Sequence, residues 1–253
     1  MSSRSLTLLL KSNVPAGVLA KYVRGRAERL FARLRGGGRT PDAERARSVF
    51  EENVRRGTYT HAWFDASIDL WVELLAPVKA LARPVDMLEV GSWEGRSTLF
   101  LLGYLPNGRL TAVDTWEGGD EHKHLADLSA LEQRFDHNVS AFRSRLEKRK
   151  GRSSVVLAEM ASSATECFDF IFIDGSHFAD DVMLDAVMAW RLLREGGVLV
   201  FDDYLWRFER YGWKRNPANA INLFLRLIEG DFSLLHVGHQ LAIRKSVSVS
   251  RYS

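Results

Sequence analysis

IFIDGSHFADD, residues 171–181, carries a run of apolar residues straight into an acid, a glycine, a serine and a histidine. A strand covered on both faces reads as a continuous apolar run, and such strands belong to parallel sheets flanked by helices. The segment that follows, HFADDVMLDAVMAWRLLR, has helical spacing, and GGVLVFDD (196–203) then repeats the pattern of an apolar strand closing on acids. Upstream, VDMLEV (85–90) and RLTAVDTW (109–116) read as strands, each leading to a helix: RSTLFLLGYL after the first and LSALEQRFDHNVSAFRSRLEKR after the second. SSVVLAE (153–159) reads as a third strand, joined by the short crossover MASSATEC to the fourth, FDFIFID (168–174). This alternation predicts an α/β fold of Rossmann-like type with helices on both faces of a mostly parallel sheet. NPANAINLFLRLIEG adds a helix, and FSLLHVGHQLAIRKS reads as two strands close enough to form an antiparallel hairpin.

The totals are those of an ordinary globular chain: 253 residues, 46% hydrophobic and 26% charged. The single cysteine, Cys167, excludes an internal disulfide and the cysteine-rich zinc sites, which fits a reducing, cytoplasmic setting. No apolar run approaches the roughly 20 residues that span a bilayer, and the leading LTLLL, closed by Lys11, is too short for a cleaved signal. Charge is unevenly placed. Residues 1–46 hold ten Lys/Arg against three acids, a net +7 that leaves −4 on the rest. VLAKYVRGRAERLFARLR (18–35) reads as a basic amphipathic helix, able to pack on the main domain or to lie on an anionic membrane or partner. RGGGRTPD (35–42) reads as a linker, so residues 1–42 form a helical extension and 43–253 the main domain, whose first stretch, 43–82, is helical.

In open α/β sheets ligands bind outside the carboxyl ends of the strands. Read in order, those ends carry Glu89 with Gly91, Asp114, Glu159, Asp174, and Asp202 with Asp203. The loop LEVGSWEGRST has glycines at Gly91 and Gly95 with Trp93 between them, which is not the G-x-G-x-x-G of dinucleotide folds. Such glycines serve either close approach of a ligand or tight packing of a turn. Glu89 repels a pyrophosphate and attracts a cationic ligand, and Asp114, 25 residues on, stands where an acid accepts hydrogen bonds from ribose hydroxyls or caps a helix. A nucleoside with a cationic tail, S-adenosylmethionine, suits these groups better than NAD does.

From Tyr59 to Lys245 the chain resembles class I S-adenosylmethionine-dependent methyltransferases, and among them bacterial metal-dependent O-methyltransferases of sugars and small molecules. The resemblance rests on THAWF (60–64), LEVGSWEGRST (88–98), AVDTWEGGDEH (112–122), RFDHNV (134–139), IFIDGSHFADDV (171–182) and LVFDDYLW (199–206). It implies a seven-stranded sheet with a reversed last strand. It also implies a cofactor pocket of Glu89, Gly91, Ser92, Trp93, Gly95, Ser97, Asp114, Thr115, Trp116, Glu159, Met160 and Asp174. Asp174, Asp202 and Asp203, the last two 28 residues beyond the first, would hold a divalent cation, Mg2+ by preference for oxygen ligands. Asp203 could instead cap a turn, since successive strand residues face opposite ways.

His177, beyond an N-cap at Ser176, is the residue that would take the proton of the acceptor hydroxyl. The other histidines, including His61, His122, His124, His137, His236 and His239, lack a comparable pairing in the sequence. Tyr59, His61, Trp63, Phe64, Tyr204 and Trp206 are candidate walls of the acceptor pocket, with core packing as the alternative for each. The acceptor implied is a sugar hydroxyl first and a vicinal phenol second. A dehydrogenase or a non-catalytic binding module explains fewer of these residues. Nucleic acid is disfavoured because the positive charge sits outside the core. Homo-oligomerisation stays open.

Overall fold

A computed structural model describes residues 7, 9–34, 38–119, 128–206 and 213–248. Residues 35–37 of the expected linker, and His122 and His124, lie outside the described residues. In chain order the elements are α1 (Ala16–Leu34), α2 (Pro41–Val54), α3 (Ile68–Lys79), β1 (Val85–Val90), α4 (Arg96–Tyr104), β2 (Gly108–Asp114), α5 (Leu131–Asn138) and β3 (Leu146–Lys150). There follow α6 (Ser153–Ser163), β4 (Phe168–Ile173), α7 (Ala179–Leu192), β5 (Leu193–Phe201), α8 (Pro217–Leu227), β6 (Phe232–Val237) and β7 (Leu241–Lys245).

The seven strands form one sheet in the order β3-β2-β1-β4-β5-β7-β6. β1 pairs in parallel with β2 and β4, β2 with β3, and β4 with β5, while β7 runs antiparallel to both β5 and β6. The chain winds outward from β1 through β3 and returns to β4 beside β1, so the crevice of the fold opens over the carboxyl ends of β1 and β4. Alternation along each strand divides the core. Leu88, Val90, Ile171, Ile173, Leu199 and Phe201 face one layer, and Met87, Phe170, Phe172, Val198 and Val200 the other. Every residue of β4 is buried, as its unbroken apolar run requires.

One strand lies elsewhere than its sequence suggests. SSVVLAE is not a strand: residues 153–163 form α6, and the third strand is LEKRK, from Leu146 to Lys150. β3 pairs with β2 alone and sits at the sheet edge, where one covered face needs few apolar residues, so it lacks the expected run. In 153–163 the buried residues are Val156 and Leu157, with Met160 partly covered beside them, a helical rather than alternating spacing. The crossover to β4 is thus a full helix, and the long helix expected over 128–149 is replaced by α5, a 3-10 turn at Ser140–Arg145 and β3.

The basic helix packs onto the domain: Val18 and Tyr22 of α1, with Leu9 before it, are buried in the layer under β6, while Val23 and Phe31 stay exposed. The linker is shorter than the sequence suggests, because Pro41 is the first helical residue of α2 and Thr40 caps it, accepting from Ala43 N at 3.3 Å. No helix among the described residues is long and apolar enough to cross a membrane.

Candidate active site

At the end of β1 the chain turns through Gly91, whose φ of +83° suits glycine and where a Cβ would lie 2.0 Å from the Asp174 carbonyl oxygen. Gly91 therefore lets the ends of β1 and β4 touch, with Asp174 N donating to Val90 O at 2.7 Å. Gly95, at φ +80°, precedes α4 against Val139 and Phe135. Trp93, where a second glycine is usual, also has positive φ, +48°, as does Trp116 at +52°. The backbone path of the loop is kept even though the side chain strains it.

Asp114 fixes that path. Its carboxylate accepts from Ser92 N (2.8 Å), Trp93 N (2.9 Å) and Trp116 N (2.7 Å). Two carboxylate oxygens offer about four acceptor positions, so these three donors leave room for one more. Glu89 is fully buried and accepts from Thr98 Oγ1; burial pushes its pKa up, opposed by the Ser97, Thr98 and Ser92 hydroxyls. Ser92 and Ser97 are buried around it, Thr115 is half-exposed at the end of β2, and Trp116 lies under the loop on Phe135, donating to Trp93 O at 3.1 Å. Glu159 and Met160 do not join them. They ride on α6 rather than a strand end, and Glu159 is exposed, paired with Arg149 at 3.4 Å. The third strand reaches this edge through Gly151, whose N–H donates to Asp114 O at 2.9 Å.

No motif marks Glu94, the acid that ties the loop to two other segments. It is 1% exposed and accepts from Thr60 N and Oγ1 (2.7 and 3.0 Å) and from Arg134 (2.7 Å). Asn138 completes the tie by donating to Glu94 O and Thr58 O. Segments 58–60, 94 and 134–138 are thus tied into one structure. Above it, Trp63 is exposed, stacks on His61 at 4.2 Å and leans on Trp93 at 5.6 Å. Tyr59 lies beneath the Arg96 guanidinium, and burial raises its pKa to about 12. Two expected pocket walls are core residues instead. Phe64 packs among Phe50, Trp71 and Phe100, and Tyr204 is completely buried, donating to Asn222 at 2.7 Å.

Over the crevice the acids converge. Asp202 N donates to Ile173 O, so the residues just past β4 and β5 are neighbours. Strand alternation would send Asp202 and Asp203 apart, but β5 ends at Phe201, and Asp203 has φ +53°. That turn, closed by Asp203 N donating to Asp202 Oδ1 at 2.7 Å, brings both carboxylates to one side. Ligand atoms of Asp174, His177 and Asp203 lie within 4.8 Å of one another, as do those of Asp202, Asp203 and His239. Burial and then the charges of Asp202 and Asp203 hold Asp174 well above the usual carboxylate range. Burial and Asp203 likewise raise Asp202 to about 6. Asp203 goes the other way: burial would raise it, but hydrogen bonds from His177 and His239 hold it far below. Ser176 does not cap α7, whose N-cap is Phe178; its hydroxyl accepts from Phe178 N within the turn. His177 meets Asp203 at 2.8 Å and rests against Trp206 at 4.6 Å.

His239 corrects the sequence reading, which gave it no pairing. The β6–β7 turn places its Nε2 3.0 Å from Asp203 and 3.9 Å from Asp202. Gln240 beside it donates to Asp202 at 3.2 Å and accepts from Trp71 at 2.7 Å. A hollow lined by Arg39, Asp42, Asp69 and Glu73 between α2 and α3 contains no strand-end residue and stands apart from this cluster.

Residues 88–204 match the family model described as a methyltransferase domain. No curated protein matches the chain. Among solved structures, MycE methyltransferase from the mycinamycin biosynthetic pathway, in complex with Mg and SAH, superposes with TM-score 0.53 at 18% identity. That match covers 91% of this chain, which spans 62% of the length of MycE. An O-methyltransferase from Bacillus cereus in complex with SAH gives 0.53 at 19% identity, covering 90% of this chain and all of the other. The O-methyltransferase TomG from Streptomyces achromogenes, in complex with SAM, gives 0.53 at 18%, covering 83% and 92%.

Proposed function

We propose that this chain, a class I methyltransferase by its domain and its fold, moves a methyl group from S-adenosylmethionine to a hydroxyl of a small molecule, a sugar by preference, with the help of a divalent cation. The observation that carries the proposal is two sets of donors that share Asp203 at the crevice over β1 and β4, one with Asp174 and His177 and the other with Asp202 and His239. The donors fit a cation: the carboxylates are hard oxygens, and of the causes that raise Asp174 and Asp202, burial first and mutual repulsion second, a positive charge between them removes the second. When bound, S-adenosylmethionine supplies an electrophilic methyl and the cation lowers the pKa of an oxygen beside it.

The protein supplies placement and proton transfer. Asp114 and the turn through Gly91 and Trp93 shape the nucleoside side of the crevice. His177 takes the hydroxyl proton, and Asp203 at 2.8 Å orients its ring and stabilises the imidazolium that results. No protein nucleophile is required, because a sulfonium is already a good leaving group. His61 stacked on Trp63, and Trp206 against His177, are two aromatic surfaces on which an acceptor ring can rest. Neighbours solved with Mg, SAH and SAM support the fold and the kind of ligand, and an acceptor carrying adjacent oxygens suits a cation site best. The deciding experiment is calorimetric titration of S-adenosylmethionine and of NAD, with and without Mg2+, followed by methyl transfer to a panel of sugar and phenol diols. Binding of S-adenosylmethionine and EDTA-sensitive transfer are expected. Binding of NAD in place of S-adenosylmethionine overturns the proposal, and transfer that survives EDTA removes the cation from it.

A further inference from the structure

The carboxylates at the ends of β4 and β5 are approached from a third direction, by the turn between β6 and β7. Val237 pairs with Leu241, leaving Gly238, His239 and Gln240 as the turn. It is bound down at both sides: Gly238 N donates to Gln240 O at 2.8 Å, and Leu205 N donates to His239 O. Gln240 is 3% exposed and anchored between Trp71 and Asp202. The His239 ring therefore stands at a fixed place above Asp202 and Asp203 with its side chain 63% exposed to solvent.

We infer that His239 is a ligand of the cation held by Asp202 and Asp203, which makes the site a mixed nitrogen and oxygen site that prefers transition metals to Mg2+. The inference rests on the cation reading given above and extends it to a residue outside the β4 and β5 motifs. The distances agree with it. Donors at about 2.1 Å from one octahedral ion are about 3.0 Å apart when adjacent and about 4.2 Å apart when opposite. His239 Nε2 lies 3.0 Å from Asp203 Oδ1 and 3.9 Å from Asp202 Oδ1. Imidazole adds little for Mg2+, which prefers oxygen and keeps its waters, but it strengthens binding of Mn2+, Co2+ and Zn2+. His239 Nε2 cannot donate to Asp203 and ligate an ion at once, so a bound ion replaces the Nε2–Asp203 hydrogen bond and the two atoms become adjacent ligands.

The test is metal affinity, measured on the full chain without acceptor. Titrate Mg2+, Mn2+ and Co2+ into metal-free wild-type protein and into His239→Ala, and record pulsed electron paramagnetic resonance of the Mn2+ forms. The wild type is expected to bind Mn2+ and Co2+ at least about tenfold more tightly than Mg2+. His239→Ala is expected to lose about tenfold or more for Co2+ and less than threefold for Mg2+, together with a nitrogen coupling at Mn2+. Equal losses for all three ions, or a nitrogen coupling that survives His239→Ala unchanged, overturn the inference. Because His239 lies in an exposed turn, His239→Gln and a circular dichroism melt separate a local loss of ligand from a loss of fold. S-adenosylmethionine binding by the wild type is measured in parallel. Its absence sinks the methyltransferase reading, whereas its presence with no metal discrimination sinks only the role of His239.

Discussion

β4 carries an acid near each end, and the two live in opposite surroundings. Asp169, next to its start, is 3% exposed and held by Arg83 and Arg194 at 2.5–2.8 Å, with Asp86 N donating to it at 3.0 Å. Those partners keep its pKa below the usual range despite burial, and Asp86, tied to Arg109 and Arg194, extends the network. Asp174, just past the other end, faces two more carboxylates and is held well above the usual range. One pole of the sheet has its charges cancelled within the chain. The other keeps three acids together with two histidines as counter-groups among the described residues, an arrangement that costs stability and that a bound cation would relieve. The contrast marks Asp169 as an acid completed within the chain and Asp174 as one that a ligand would complete.

The largest effect expected from breaking it is at the carboxyl end of β4. Asp174→Ala should lower methyl transfer by roughly 10³-fold while leaving the metal-free melting temperature equal to or above that of the wild type. A variant that both unfolds and loses activity would put Asp174 in the same class as Asp169. Next in size, Asp169→Ala strands Arg194 and Arg83 and should cost about 3 kcal/mol, a fall of roughly 6–12 °C in melting temperature. Turnover per folded molecule should be unchanged well below that temperature, which steady-state kinetics against an active-site count will check. His177→Ala should lower turnover at neutral pH by about 10² without changing cation affinity more than a few-fold; undiminished turnover removes the base assignment.

Legibility in the sequence followed the same division. β1, β4 and β5 announce themselves because both faces are covered, and their acids stand out against an apolar run. β3 did not, because an edge strand needs no such run: LEKRK looks like the end of a helix until its pairing with Leu110–Asp114 is seen. Asp174, His177, Asp202 and Asp203 were readable as a group from two short motifs. His239 and Gln240 were not, since they reach the site from a hairpin turn whose placement depends on the antiparallel pairing of β7 with β5. Glu94 was hidden for a different reason. It lies in a glycine loop where an acid attracts no notice, and its partners Thr60 and Arg134 are contributed by segments 34 and 40 residues away.

The smallest effect, and the most direct contrast, concerns pH. An acid whose folded pKa is raised binds its proton more tightly when folded, so its contribution is fully present below the unfolded pKa and is lost as pH rises through the folded one. Asp202, raised from 3.8 to about 6, should therefore destabilise the metal-free protein progressively between about pH 4 and pH 6 and fully above that. Asp169, whose pKa is lowered, has the opposite sign and contributes above pH 4. Asp202→Asn removes the charge while its amide oxygen can still accept from Asp203 N, at the cost of the hydrogen bond from Gln240. In EDTA at pH 8 the variant should melt roughly 2–6 °C above the wild type, the equivalent of about 1–2 kcal/mol, and the gap should close near pH 4. Saturating divalent cation should reverse the order at pH 8, since binding at a hundred times the dissociation constant adds about 2.7 kcal/mol to the wild type alone. If Asp202→Asn is instead less stable at every pH with and without the ion, then the acids past β4 and β5 are held together for structure, and the two poles of the sheet do not differ in kind.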